Sequence, residues 1–208
     1  MDKSRLEALS DGIFAFVLTL LIVDIKVPEF AHMPASNMEL WHALISIAPL
    51  LMSYFVSFFV ITMFYLSHSG LFSLFIKNVN YTLINLNLLY LCSIAFIPFS
   101  AHLIGVHSGT ELAYVLYGLN LFITGLLSLC LLKYAVYSKE IDTSDASPRL
   151  FKQAHIRLSI TPFFSLIGMG IVFFSVPLAL VFFAFPIIFN VIPGSLNFLE
   201  KRFNLNLE

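Results

Sequence analysis

The sequence predicts an all-α integral membrane protein, and three observations carry that prediction. The chain has 208 residues, of which 59% are hydrophobic and only 11% are charged, whereas soluble domains carry about 25% charged residues. Its mean hydropathy is +0.92. Its apolar runs reach the roughly 20 residues that a membrane-spanning helix needs, and they do not match the short alternating segments of a membrane β-barrel. The net charge of −1 gives no indication of nucleic-acid binding.

Six apolar stretches are long enough to cross a membrane as helices. They cover residues 6–27, 40–66, 80–103, 112–137, 156–175 and 177–198. Pro49 is expected to bend the second stretch, and Pro186 and Pro193 interrupt the sixth, because proline breaks the hydrogen-bond pattern of a helix. A polar loop at 138–149 separates the fourth stretch from the fifth. We therefore predict a single six-helix membrane domain over residues 1–208.

The basic residues predict the orientation of the chain in the membrane. Six spans place both termini on one side, and cytoplasmic loops are enriched in lysine and arginine. When both termini are cytoplasmic, Lys26 alone of the 11 basic residues falls on the outer side. The residues on the inner side are then Lys3, Arg5, Lys77, Lys133, Lys139, Arg149, Lys152, Arg157, Lys201 and Arg202. This asymmetry favours cytoplasmic termini and supports the count of six.

No sequence motif indicates catalysis or a cofactor. The chain contains no HExxH, GxSxG, Walker A or GxGxxG motif, and it lacks the TVGYG filter loop found in potassium channels. The 6 histidines are scattered, and the 2 cysteines do not have CxxC spacing. We therefore predict no enzyme activity, no metal site and no cofactor.

The first span carries charged and polar side chains that need partners. An ionisable residue inside a membrane is costly and often functional, and Asp11 is the acid expected within a span. Arg5 lies six residues earlier, on a different helix face, so the two cannot pair along one helix. We expect Arg5, Ser10 and Asp11 to anchor the first helix to other helices. The candidate partners at a suitable depth are His68, Asn80 and Asn85.

An apolar stripe follows the same helix on another face. At about 100° per residue, its members fall within about 40° of one line. They are Leu9, Gly12, Phe16, Leu20 and Val23, and Thr19 borders the line. Asp11 points about 140° away from Phe16, and Ser10 points to the other flank, so both are expected to face their own subunit. On the pattern alone, packing against another helix is the commoner explanation of such a stripe.

The N-terminal motif resembles that of a known family. Arg5, three residues and then "LSDGIFAFVLTLLIVDIKVP" is similar to the signature of the transmembrane protein 175 potassium channels, and "LNLLYLCSIAFIPFSAHLIG" resembles their third helix. The resemblance implies a single-repeat, prokaryotic-type channel in the cell (inner) membrane. It further implies a homotetramer whose first helices line a pore for potassium ions, with membrane lipid as the other partner.

The resemblance also assigns roles to the stripe. The family's narrowest point falls on Phe16, its next two apolar layers on Leu20 and Val23, and the threonine linked to potassium preference on Thr19. An apolar constriction of this kind gates by dewetting and also acts as the filter. Two positions differ from the family pattern, because Leu9 replaces the motif phenylalanine and Phe16 replaces the constriction isoleucine.

Two acids leave alternatives open. Asp24 follows the stripe at the outer end of the helix, where it would either attract cations or form a solvated helix end. Asp11 would serve as the coupling site if the protein were a proton- or sodium-coupled secondary transporter. Against a transporter, the sequence shows no inverted repeat with paired interrupted helices.

Overall fold

The computed structural model describes residues 2–23, 25–26, 28–30, 36–143 and 147–191. These ranges contain helices and no strand, which confirms the predicted all-α fold class. The helices are α1 (Lys3–Val23), α2 (Asn37–Ser46), α3 (Ala48–Phe75), α4 (Tyr81–Ala95), α5 (Ile97–Val106), α6 (Glu111–Tyr137), α7 (Pro148–Ile171) and α8 (Val176–Val191).

Five spans in the described ranges are long and apolar enough to cross a membrane. They are α1, α3, α6, α7 and the continuous stretch Tyr81–Val106, in which α5 follows α4 after Phe96. Pro98 lies in the first turn of α5 and supplies no backbone N–H, which accounts for the break. The helix α8 is shorter, and the predicted sixth span at 177–198 extends beyond the described residues. The count of six spans and the cytoplasmic termini stay predictions.

The second span lies further along the chain than residues 40–66. Ser36 begins α2 with a capping box: its hydroxyl accepts the Glu39 N–H at 3.2 Å, and the Glu39 carboxylate accepts the Ser36 N–H at 2.8 Å. The Ser36 hydroxyl also donates to the Glu39 carboxylate at 2.7 Å, and this bond together with the one from the Ser36 N–H holds the pKa of Glu39 below its usual value. The helical run is interrupted at Ile47, between the end of α2 and the start of α3, because Pro49 lies in the first turn of α3. The membrane-crossing helix is therefore α3, and α2 is a separate short helix before it.

Close helix contacts hold the bundle together. A Cβ placed on Gly125 of α6 would lie 2.6 Å from Cδ of Pro162 on α7, so these two helices approach as closely as glycine allows. The hydroxyls of Ser57 on α3 and Tyr117 on α6 meet at 3.0 Å in the core. Against this framework, α1 packs on α3, α4 and α5. The bundle thus covers one side of α1 and leaves the other side uncovered.

Candidate functional site on the first helix

The covered face of α1 is apolar except for one serine. Its buried residues are Leu6, Ser10, Phe14, Val17 and Leu21. They recur every three or four positions, which places them on one face of the helix. Ser10 is fully buried within this face. Because a buried hydroxyl requires hydrogen-bond partners, the surroundings of Ser10 show how α1 is attached.

Three buried side chains form a continuous hydrogen-bonded chain between three helices. The Ser10 hydroxyl donates to the Leu6 carbonyl at 2.9 Å and accepts from Nδ2 of Asn87 on α4 at 3.1 Å. Oδ1 of Asn87 lies 2.7 Å from Nε2 of His68 on α3. The amide of Asn87 therefore accepts from the imidazole and donates to the serine. This Ser10–Asn87–His68 chain links α1 to α4 and, through α4, to α3.

Aromatic rings enclose the histidine end of that chain. The His68 ring stacks on Phe72 at a centroid distance of 4.5 Å and on Tyr90 at 5.4 Å, and Phe14 lies 5.7 Å away. Such apolar surroundings strengthen a satisfied hydrogen bond and make an unsatisfied one costly. The Ser10–Asn87–His68 chain consequently fixes the rotation of α1 about its axis more tightly than apolar packing alone would.

The asparagine in the chain is Asn87, not the expected Asn85. Asn85 is exposed, because two residues turn a helix by about 200° and place the two amides on opposite faces. The core-facing line of α4 includes Leu83, Asn87, Leu91 and Ile94. That spacing could have selected Asn87 from the sequence, because it repeats every three or four residues.

Asn80 lies away from the first helix and has a different role. Its Oδ1 accepts the Leu83 N–H at 2.9 Å and caps the start of α4, while its Nδ2 donates to the Tyr134 hydroxyl at 2.7 Å and also contacts Glu140. Asn80 therefore ties α4 to the end of α6. It is not a partner of the N-terminal motif in this chain.

Arg5 and Asp11 are both exposed in this chain, so their expected attachment to other helices stays a prediction. Across the described ranges, neither side chain makes a hydrogen bond or an ion pair. Asp11 does act electrostatically on His68. One residue turns the helix by about 100°, so Ser10 can be buried while Asp11 beside it is not. Of the three motif residues, Ser10 is therefore the one whose side chain is hydrogen-bonded to another helix within the described ranges.

Replacing Asn87 by alanine is expected to weaken the fold. The change leaves Ser10 and His68 without their shared partner inside the bundle, so we expect a loss of about 1–2 kcal/mol in the free energy of unfolding. Thermal unfolding of the purified protein in detergent measures this loss. Asn85→Ala is the matched control, because it removes the same side chain from an exposed position of the same helix. Equal losses of unfolding free energy in the two variants would show that the Ser10–Asn87–His68 chain does not hold α1 in place.

The uncovered face of α1 carries the predicted stripe. Phe16 is 63% exposed and Val23 is 68% exposed. Leu9, Gly12 and Thr19 are also exposed, and Leu20 is half-buried. Asp24 lies outside the described residues. Most of the stripe therefore does not pack within its own chain, so packing against another helix of the same subunit does not explain its pattern.

Thr19 presents an oxygen on this face. Its hydroxyl donates to the Phe16 carbonyl of the preceding turn at 2.8 Å. Because the proton is engaged within the helix, the lone pairs of the hydroxyl oxygen remain available to a cation or to water. Thr19 thus places an uncharged polar side chain beside a stripe whose other described side chains are apolar.

A shallow apolar groove of about 340 Å³ runs beside the stripe, between α1 and α4. Phe16 and Leu20 form part of its wall on α1, and Leu88 and Cys92 form part of its wall on α4. The groove gives the Phe16 ring space on one flank. A second element can therefore approach the stripe without displacing the buried face.

These features define a class: a multi-pass helical membrane protein whose first helix is anchored by one face and presents an apolar stripe on the other. A family model described as "Endosomal/lysosomal potassium channel TMEM175" matches residues 5–98, which cover most of α1 and all of α2, α3 and α4. The N-terminal part of this chain is similar to the TMEM175 family, which confirms the resemblance found in the N-terminal motif.

Bacterial proteins are similar to this chain over different lengths. A protein of Chryseobacterium named as a potassium channel is 26% identical over the whole chain and 99% of its own length. One of Streptomyces collinus, also named as a potassium channel, is 44% identical over 47% of this chain and 45% of its own length. The crystal structure of a lysosomal potassium-selective channel TMEM175 homolog from Chamaesiphon minutus matches with a TM-score of 0.76 and 25% identity, covering 90% of this chain and 95% of that one.

Proposed function

We propose that this chain forms a homotetrameric, potassium-permeable channel whose pore is lined by the uncovered face of α1. The observation that carries the proposal is the contrast between the two faces of this helix. One face is buried and holds the Ser10–Asn87–His68 chain, whereas the other exposes Phe16 and Val23. Four copies arranged around an axis bring their stripes together, and the groove beside Phe16 leaves space for a neighbouring subunit.

Similar proteins support potassium as the permeant ion. The bacterial relatives are named as potassium channels, and the similar crystal structure is described as potassium-selective. The proposed number of four subunits rests on the family resemblance, which implies that chains of the single-repeat type assemble as homotetramers. We accordingly assign the protein to the inner membrane of a prokaryotic cell, with potassium ions and lipid as partners and no cofactor.

The mechanism relies on an apolar neck. A ring of four Phe16 side chains forms the narrowest point and closes the path by excluding water, and Leu20 and Val23 provide the next two layers. When the neck widens enough to hold water, a partly hydrated cation passes. Four Thr19 oxygens then offer ligands one turn along, because their protons are engaged by the helix backbone. Asp24 raises the local cation concentration at the outer end.

Single-channel recording tests the proposed activity directly. The purified protein is reconstituted into bilayers, and currents are measured in symmetric potassium and in mixed potassium and sodium. Discrete steps with a reversal potential that favours potassium support the channel. Saturable transport coupled to protons or sodium, without discrete steps, would instead favour a secondary transporter that uses Asp11.

Replacing Thr19 by valine is expected to reduce selectivity without closing the pore. The substitution keeps the shape and removes the oxygen ligand, so a loss of about 0.5–1 kcal/mol in ion discrimination lowers the potassium-to-sodium permeability ratio about two- to fivefold. Reversal potentials in mixed ions give this ratio. Thr62→Val is the control, since the Thr62 hydroxyl makes the same kind of bond to its own helix on α3, at 2.8 Å from the Phe58 carbonyl. A permeability ratio that changes equally in both variants would exclude Thr19 as a ligand.

A further inference from the structure

A second apolar cavity lies away from the stripe. It is a cleft of about 530 Å³ between α3, α6, α7 and α8, and its walls include Phe59, Leu74 and Leu132. Gly70 forms part of the wall on α3, and a Cβ added there would meet no atom within 4 Å. The absence of a side chain at Gly70 therefore keeps the cleft open. Its mostly apolar lining suits a hydrocarbon chain and does not suit a water-soluble ligand.

One cation stands in the wall of this cleft. Arg157 of α7 is half-buried there, and its Nη1 donates to the Asn190 carbonyl at 3.5 Å, which is a long hydrogen bond. Within the ranges that the structure describes, no ion pair of Arg157 is recorded. The guanidinium carries five N–H donors in a planar fork that matches the oxygens of a phosphate group. Most of that capacity is left for a ligand.

In the orientation predicted from the basic residues, the cleft follows the part of the bundle nearest the inner side of the membrane. Its wall on α3 runs from Phe59 to Phe75, a length of about 24 Å at 1.5 Å per residue. One leaflet of the hydrocarbon core is about 15 Å thick, so the cleft is long enough for an acyl chain. Lys133 interacts electrostatically with His155, two residues before Arg157, but it is exposed and does not line the cleft.

We propose that this cleft binds one anionic phospholipid of the inner leaflet, with an acyl chain along α3 and the phosphate on Arg157. The combination of an apolar cleft and an arginine in its wall selects this ligand, because basic pockets between membrane helices bind anionic headgroups. Bulk zwitterionic lipid would fill the apolar part but would leave the guanidinium with a weaker partner. The proposal is independent of where the pore lies.

The test compares lipids of different headgroup charge. The full chain in detergent receives phosphatidylglycerol, phosphatidylcholine or inorganic phosphate, and thermal unfolding is followed together with native mass spectrometry of retained lipid. A ligand that binds only the folded protein raises its unfolding temperature. We expect phosphatidylglycerol to raise that temperature and to remain bound, and phosphatidylcholine to do so much less. An equal response to phosphatidylcholine, or a response to inorganic phosphate alone, overturns the proposal.

Two variants, each with a matched control, locate the site. Arg157→Gln removes the charge and should weaken phosphatidylglycerol binding about tenfold or more, whereas Lys133→Gln removes an exposed positive charge nearby and should have little effect. Gly70→Leu places a side chain into the cleft and should reduce lipid retention. Gly170→Leu is its control, because a Cβ at Gly170 also meets no atom within 4 Å but lies outside the cleft. Undiminished binding in Arg157→Gln and Gly70→Leu overturns the assignment.

Discussion

Replacing Phe16 by alanine is expected to raise the single-channel potassium conductance several-fold. In the proposed tetramer, four phenyl rings meet at the neck, and removing them widens the apolar constriction enough for water to enter it. The closed state should also become less stable, so the open probability rises with the conductance. Recordings from proteoliposomes at equal protein content measure both quantities. The subunit itself should remain folded, because Phe16 is 63% exposed and leaves no cavity in the core when truncated.

Phe163→Ala provides the comparison for this prediction. Phe163 is a phenylalanine of α7 that is 59% exposed, so the substitution removes the same side chain from a surface of similar exposure. We expect its conductance to equal that of the wild type. If Phe16→Ala also leaves the conductance unchanged, the narrowest ring lies at Leu20 or Val23. An equal rise in both variants would mean that the effect comes from the membrane surface and not from a neck.

A cysteine at position 23 is expected to make the current sensitive to cadmium. Val23 is 68% exposed at the predicted outer end of the stripe, and the four copies of the proposed tetramer would bring four thiolates toward one point. Thiolates bind soft divalent metals strongly, so micromolar Cd²⁺ from the outer side should block most of the current reversibly. Cys92 and Cys130 are both exposed and are replaced by serine beforehand, because either could bind the metal.

Phe163→Cys in the same cysteine-free background is the control for convergence. A single thiol on α7 can bind Cd²⁺ weakly, but it does not lie on the proposed axis, so the current should persist. Block at Val23→Cys without block at Phe163→Cys supports the assembly of stripes around a pore. Comparable block in both variants, or none at Val23→Cys although thiol reagents modify it, would refute a pore lined by α1.

Hydropathy predicted the helical fold well because a membrane imposes its requirement on whole stretches of chain. A span must be apolar over about 20 residues, and that demand is visible in α6, α7 and the stretch formed by α4 and α5. The ends of the helices were harder to predict from hydropathy. The apolar run after residue 40 continues across Ile47, so its hydropathy does not distinguish the short α2 from the start of α3. Capping by Ser36 and the position of Pro49 decide that boundary locally.

The two faces of α1 were separable in sequence only in part. Helical periodicity grouped Phe16 with Val23, and both are exposed, but the pattern does not say whether lipid or another subunit covers them. The partner of Ser10 depends on how α1 and α4 are rotated against each other, which one sequence does not show. For Asp11, the cost of an intramembrane charge suggested a partner in the chain, although a carboxylate one residue from Ser10 points to a different face.

The attachment of α1 through Ser10 has a consequence for engineering and for evolutionary change. The buried residues that attach α1 to the bundle and the residues of the stripe are two separate sets with no member in common. A mutation that alters the bore of the proposed conduit therefore carries little penalty in the folding of the protomer. In the proposed channel, single substitutions at Phe16, Leu20 or Val23 should change ion flow with little effect on folding, because Ser10, Asn87 and His68 hold the helix in place.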